Sequence, residues 1–144
     1  GGAIATAILP AKTDNVSAFA MEAPIFDFAE TARREVEFQG FPGFLWGLAD
    51  TAAMLRGVDL NETPISAGID SAGNRPLLLL HGTDDQRLAY EGALKFRDYA
   101  ENAGVEVTLE TFEGADHTEG MLTETDRYAR ALTTFFRNAL GQVN

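Results

Sequence analysis

The sequence predicts an α/β architecture: a partial parallel sheet of about three strands flanked by helices. Three observations lead there. Leu77–Leu80 is an unbroken run of four leucines, apolar on both faces, as a central strand of a parallel sheet has to be. Helical and extended patterns alternate along the chain, the order produced when crossover helices join parallel strands. Val105–Glu110 alternates apolar and polar residues, which gives a strand with one wet face close to a sheet edge.

Gly1–Leu9 is small and apolar and reads as a short buried helix stopped by Pro10. Asn15–Met21 is a short apolar run after a polar turn and reads as a buried strand, ended by Glu22-Ala23-Pro24. Residues 26–57 are helical in pattern, broken at Gly40-Phe41-Pro42-Gly43, and hold five of the ten Phe and the single Trp. Val58–Asn74 is rich in Asp, Asn, Gly, Ser and Pro and reads as loop. Leu88–Ala103 places Ala89, Ala93, Phe96 and Ala100 on one stripe of a helix, with Gly104 where a left-handed residue is wanted at its end. Thr123 and Asp126 resemble a capping box opening a last helix that buries Tyr128, Ala131, Leu132, Phe135, Phe136 and Leu140.

Composition narrows the function classes. The 144 residues carry 22 acids against 11 bases, with no cluster of Lys and Arg beyond Arg33-Arg34. Phosphate neutralisation needs clustered bases, so nucleic acid and anionic membranes are disfavoured as partners. There is no cysteine, which excludes disulfides, thiolate metal sites and a cysteine nucleophile. No apolar run approaches the roughly 18 residues of a membrane-spanning helix.

The chemistry sits after the strands. Leu80-His81-Gly82-Thr83-Asp84-Asp85 puts acids just past the leucine strand, and Gly114-Ala115-Asp116-His117 puts a histidine just past the next one. In open parallel sheets, functional groups gather at the carboxyl ends of strands. An acid bonded to one imidazole nitrogen fixes the tautomer, leaving the other to take a proton from a nucleophile. Asp also serves as an ordinary turn and cap residue here, and His81, directly after a buried strand, reads as a hydrogen-bonded turn histidine. Glu119 near His117 suggests no metal site, since no third ligand is in view. Among the serines, Ser71 is preceded two residues earlier by Ile69 rather than Gly, Ser17 falls in the Asn15–Met21 strand and Ser66 in the polar loop, so none reads as a nucleophile.

These motifs resemble the C-terminal half of an α/β-hydrolase. That family carries G-x-S-x-G at a strand-to-helix turn, then the acid, then the histidine. Gly1-Gly2-Ala3-Ile4-Ala5 is similar to the continuation S-x-G-G-A, which would put the nucleophile two positions before Gly1. His81-Gly82-Thr83-Asp84-Asp85 is similar to the family's H-G-x-x-D, and that spacing selects Asp85 over Asp84 as the acid. Phe112–His117 is similar to its G-x-x-H loop.

The resemblance implies a serine hydrolase acting on an ester, thioester or amide bond of a small-molecule or peptide substrate. Asp85 and His117 would be catalytic, no cofactor or metal would be needed, and the N-terminal half of the same fold would be required for activity. It divides the chain into residues 1–25, a post-nucleophile helix and the first strand; 26–74, an aromatic-rich helical cap insertion; and 75–144, the α/β core with acid and histidine. Phe41, Phe44, Leu45 and Trp46 are the insertion's candidate substrate-pocket residues, with the insertion's own small core as their other reading. The alternative function on the same fold is a non-catalytic small-molecule binding protein.

Overall fold

The computed structural model describes residues 6–59 and 65–141. Gly1–Ala5, the stretch likened to the nucleophile elbow, lies outside them. Residues 6–8 are helical and run into a 3-10 turn, Leu9–Ala11, that passes through Pro10 instead of stopping before it. The described elements are then β1 (Phe19–Glu22), α1 (Phe28–Phe38), α2 (Phe44–Met54), α3 (Ile65–Asp70), β2 (Leu77–Gly82), α4 (Tyr90–Asn102), β3 (Val107–Phe112), α5 (Gly120–Thr123) and α6 (Thr125–Gly141). None of these helices is long and apolar enough to cross a membrane.

The three strands lie in the order β1-β2-β3 and both pairings are parallel. β2 is central, and all six of its residues are buried. Its alternate side chains feed two separate cores. Leu77 and Leu79 join Phe19 and Met21 of β1, Ile65 and Ile69 of α3, and Phe96 and Ala100 of α4. Leu78 and Leu80 join Phe112 of β3 and Phe135 of α6 on the opposite face. The result is a three-layer arrangement in which a leucine run buried on both sides is necessary.

β1 is shorter than Asn15–Met21. Its pairing begins at Phe19 opposite Leu77, because the residue before Leu77 is Pro76, which has no N–H to extend the ladder. Ser17 therefore precedes the strand. β3 starts two residues later than the alternation suggested, since Val105 is drawn into the end of α4: its N–H bonds Ala100 O at 3.0 Å while Gly104 N–H bonds Glu101 O at 3.0 Å. That is a Schellman closure, and it puts Gly104 at φ +82°, a left-handed conformation that glycine adopts without steric cost.

Two further expectations fail. Val58–Asn74 is not all loop: α3 forms within it, burying Ile65, Gly68 and Ile69. Gly68 is needed there because a Cβ would lie 2.0 Å from Ala7 O. Ser66 belongs to this helix. Thr123 does not cap α6; it closes the one-turn α5, its hydroxyl donating to Glu119 O at 2.9 Å. On α6 Phe135 is the one buried residue among those described, Tyr128, Leu132 and Phe136 pack partly, and Leu140 is 57% exposed.

One close approach positions the loops at the carboxyl end. A Cβ on Gly82, the last residue of β2, would stand 2.1 Å from Ala115 O and 2.7 Å from Ala115 C. G82A should therefore destabilise the chain by about 1–3 kcal/mol, as overpacking against an unyielding backbone does. G92A is the contrasting variant. Gly92 has nothing within 4 Å of its Cβ position and lies in α4, so this change should stabilise by about 0.5–1 kcal/mol. Urea unfolding of the two variants beside the parent checks both signs.

Candidate active site

The loops after β2 and β3 are knitted together. Thr83 N–H bonds Phe112 O at 3.0 Å and Asp84 N–H bonds Ala115 O at 3.1 Å. Gly114 N–H bonds the Thr83 hydroxyl at 2.8 Å, and Gln86 N–H bonds Asp116 Oδ1 at 2.8 Å. Asp116 Oδ1 also accepts from His117 N–H at 2.7 Å, so a single carboxylate holds both loops. Thr118, directly after His117, has φ +57°, a strained value for a β-branched residue.

This scaffold brings Asp85 and His117 into direct contact: His117 Nδ1 lies 2.9 Å from Asp85 Oδ2. A carboxylate only accepts, so Nδ1 carries a proton, and in the neutral imidazole Nε2 keeps its lone pair. The Asp85 side chain is 1% exposed and that of His117 27%, so the acid is sealed and the imidazole open to a reactant. Oδ1 of Asp85 accepts from the N–H groups of Arg87 at 2.9 Å and Leu88 at 2.7 Å. Asp84 is exposed, and among the described residues its carboxylate takes only the Thr83 hydroxyl, at 3.1 Å.

Burial opposes ionisation of Asp85. It is outweighed by hydrogen bonds from His81, the Leu88 N–H and His117, and by the electrostatic effect of His117, which together bring the carboxyl down to about 2. The local sequence explains the geometry. His81 and Gly82 end the strand, and the turn from Thr83 to Leu88 doubles back so that its own amides close on the Asp85 carboxylate.

The turn is also tied to α1. The Arg87 guanidinium grips Glu35 with two bonds, Nε to Oε2 at 3.1 Å and Nη2 to Oε1 at 2.9 Å. The Glu35 carboxyl lies below its ordinary value, chiefly through the Gln39 side-chain bond and then Arg87, with a contribution from His117. Nothing in the sequence spacing flagged this pair, since 52 residues separate its members.

The four aromatic-segment candidates are placed differently. Phe41 and Phe44 are exposed, at 58% and 68%, while Leu45 and Trp46 are half-buried. Trp46 stacks edge-on against Phe28 of α1, with ring centroids 6.4 Å apart. A groove of about 320 Å³ between β3 and α6, floored by Leu78, Ala131 and Phe135, includes neither Asp85 nor His117 in its lining. All three serines lie in segments that precede β1 or β2, and none follows a strand as Asp85 and His117 do.

The depressed Asp85 value sets an acid dependence. Its contribution to stability is complete above the ordinary 3.8 and is lost as pH falls toward about 2. D85N should therefore be less stable than the parent at neutral pH, and the gap should narrow as pH drops below about 4. Urea unfolding across that range reads it, and a gap that stays constant would contradict the assignment.

The comparisons bear on the fold and the family. The sequence pattern of the prolyl oligopeptidase family matches residues 1–143. No curated protein sequence matches the chain. Among solved structures, a Pyrococcus furiosus esterase aligns with a TM-score of 0.69 at 16% identity, over 94% of this chain and 49% of its own. An acylaminoacyl peptidase of Pyrococcus horikoshii aligns with a TM-score of 0.68 at 18% identity, over 99% of this chain and 23% of its own. A protein from a study of the carboxylesterases of Nitrososphaera gargenis aligns at 0.63 with 15% identity, over 99% and 64%. The chain thus spans about half the length of the first of these. At such identities the structures speak for the α/β-hydrolase fold alone, while the match along almost the whole sequence shows that this chain belongs to the prolyl oligopeptidase family.

Proposed function

We propose that this chain is the acid-and-base part of an α/β-hydrolase-type serine hydrolase that cleaves an ester, thioester or amide bond of a small molecule or peptide. The observation that carries the reading is the 2.9 Å bond from His117 Nδ1 to a buried, ionised Asp85. It fits a general base whose Nε2 takes the proton of an attacking serine hydroxyl. The serine oxygen adds to the substrate carbonyl and His117 returns the proton to the leaving group. A water molecule then repeats the sequence on the acyl-enzyme. Asp85 keeps the tautomer and stabilises the imidazolium without itself being protonated.

The nucleophile in this reading comes from an elbow immediately before Gly1, as the Gly-Gly-Ala run suggests, and the oxyanion donors come from the same preceding half. The names of the structural neighbours, esterase and acylaminoacyl peptidase, agree with acyl transfer to water. Among the described residues no serine bonds to the acid or the base, so on this reading the chain by itself should not turn over p-nitrophenyl acetate.

In the longer protein, H117A and D85N should each lower kcat by on the order of 10³ or more, with the fold retained by circular dichroism. Near-normal turnover in either variant removes the role proposed for that residue. Labelling of the longer protein by a fluorophosphonate, followed by peptide mapping, should locate the reactive serine just upstream of Gly1.

A further inference from the structure

Asp85 Oδ2 has a second neighbour besides His117. His81 Nε2, from the end of β2, lies 3.4 Å from it. The same nitrogen is 2.9 Å from the carbonyl oxygen of Leu88. A carbonyl cannot donate, so Nε2 carries the hydrogen and shares it between Leu88 O and Asp85 Oδ2. The His81 side chain is completely buried, and its Nδ1 has no hydrogen-bond partner among the described residues. A proton on Nδ1 would meet no acceptor, so the Nε2–H tautomer is the one this site accommodates. Tyr90 closes the space beside the ring, edge-on at 5.8 Å.

The four donors around Asp85 divide evenly. Oδ1 takes two backbone N–H groups from its own turn. Oδ2 takes two imidazoles from different strands, His81 from β2 and His117 from beyond β3. The backbone pair alone anchors one oxygen and leaves rotation about the Cβ–Cγ bond to be set by what meets the other. His81 supplies that second anchor from the rigid strand. It also pins Leu88 O, the far end of the turn whose N–H holds Oδ1.

We propose that His81 is a positioning residue: its shared Nε2–H fixes both the Asp85–Leu88 turn and the rotation of the Asp85 carboxylate, so that Oδ2 is presented to His117 Nδ1. The consequence for turnover rests on the hydrolase reading above; the geometric claim does not.

The test uses imidazole nitrogen NMR on the 144-residue chain at neutral pH. With only two histidines in the sequence, removing His81 assigns the signals of both. In the unsubstituted chain, His81 should show the Nε2–H pattern and His117 the Nδ1–H pattern, with a far-downfield Nδ1–H proton. H81F keeps a ring of similar shape without the donor. It should lower the Nδ1–H to Nε2–H ratio of His117 by about threefold to tenfold, the weight of one shared charge-assisted bond, and weaken the downfield proton. H81Q, whose amide N–H reaches about as far as Nε2, should restore both.

An unchanged His117 pattern in folded H81F overturns the proposal, as does an Nδ1–H tautomer at His81 in the unsubstituted chain. If H81F does not fold, the His81 tautomer together with the His117 pattern in H81Q decides. In the longer protein, H81F should reduce kcat with KM little changed, and H81Q should recover it. Normal turnover in H117A would remove the hydrolase reading and leave the NMR result standing on its own.

Discussion

The carboxyl end of this sheet depends on the approach of the Ala115 carbonyl to Gly82. That contact, closer than any side chain would permit, lets the loop after β3 lie directly on the end of β2. The Thr83, Asp84 and Gly114 amides then find partners across the seam. Backbone groups leaving a sheet must be satisfied somewhere, and here they are satisfied by the neighbouring loop rather than by solvent. The two loops become one rigid unit, and Asp85 and His117 are carried on its two halves.

Rigidity matters because of where the charge sits. A sealed carboxylate is unfavourable unless several donors face it, and one unmet lone pair would cost about 1–3 kcal/mol. Asp85 meets two amides and two imidazoles, all from elements that the core holds in place. The bonds that keep it ionised also keep it oriented. His117 differs in kind: anchored through its backbone N–H and through Nδ1, it leaves part of its ring exposed. In the proposed mechanism, a carboxylate held in place beside an imidazole that solvent can reach is the division of labour proton transfer requires.

The first two helices between β1 and β2, α1 and α2, are attached more lightly, with no buried residue in either. Phe26 enters the core against Phe96 and Tyr99, at 5.9 and 5.5 Å. Beyond it, α1 is linked to the rest by the pairs Glu35–Arg87 and Glu30–Lys95. Half-exposed pairs of this sort contribute little, while burying a single Phe contributes about 1.5–3 kcal/mol. The sheet core is thus the firmly packed part, and α1 is joined to it mainly through half-exposed contacts, the Arg87 guanidinium over the Phe38 ring among them. The Glu35–Arg87 pair links that segment to the turn carrying Asp85.

The sequence by itself determined the layered α/β plan, because periodicity records burial directly: four consecutive leucines have only one economical place in such a fold, between two layers. The alternation around Val107 likewise marked a wet-faced strand beside it. The resemblance of His81-Gly82-Thr83-Asp84-Asp85 to the family's H-G-x-x-D implied Asp85 as the acid, and it is Asp85 that touches His117. Other features escaped because they depend on partners distant in sequence. α3 rests on Ile65 and Ile69 reaching a core assembled from β1 and α4, which six residues among Ser and Gly do not announce. The start of β1 is set by Pro76, the residue just before the neighbouring strand β2. Arg87 meets Glu35 across 52 residues, and the share His81 takes in holding Asp85 arises only once the turn folds back on its strand. Local pattern fixes which faces are buried; only the packed chain decides which polar atoms meet.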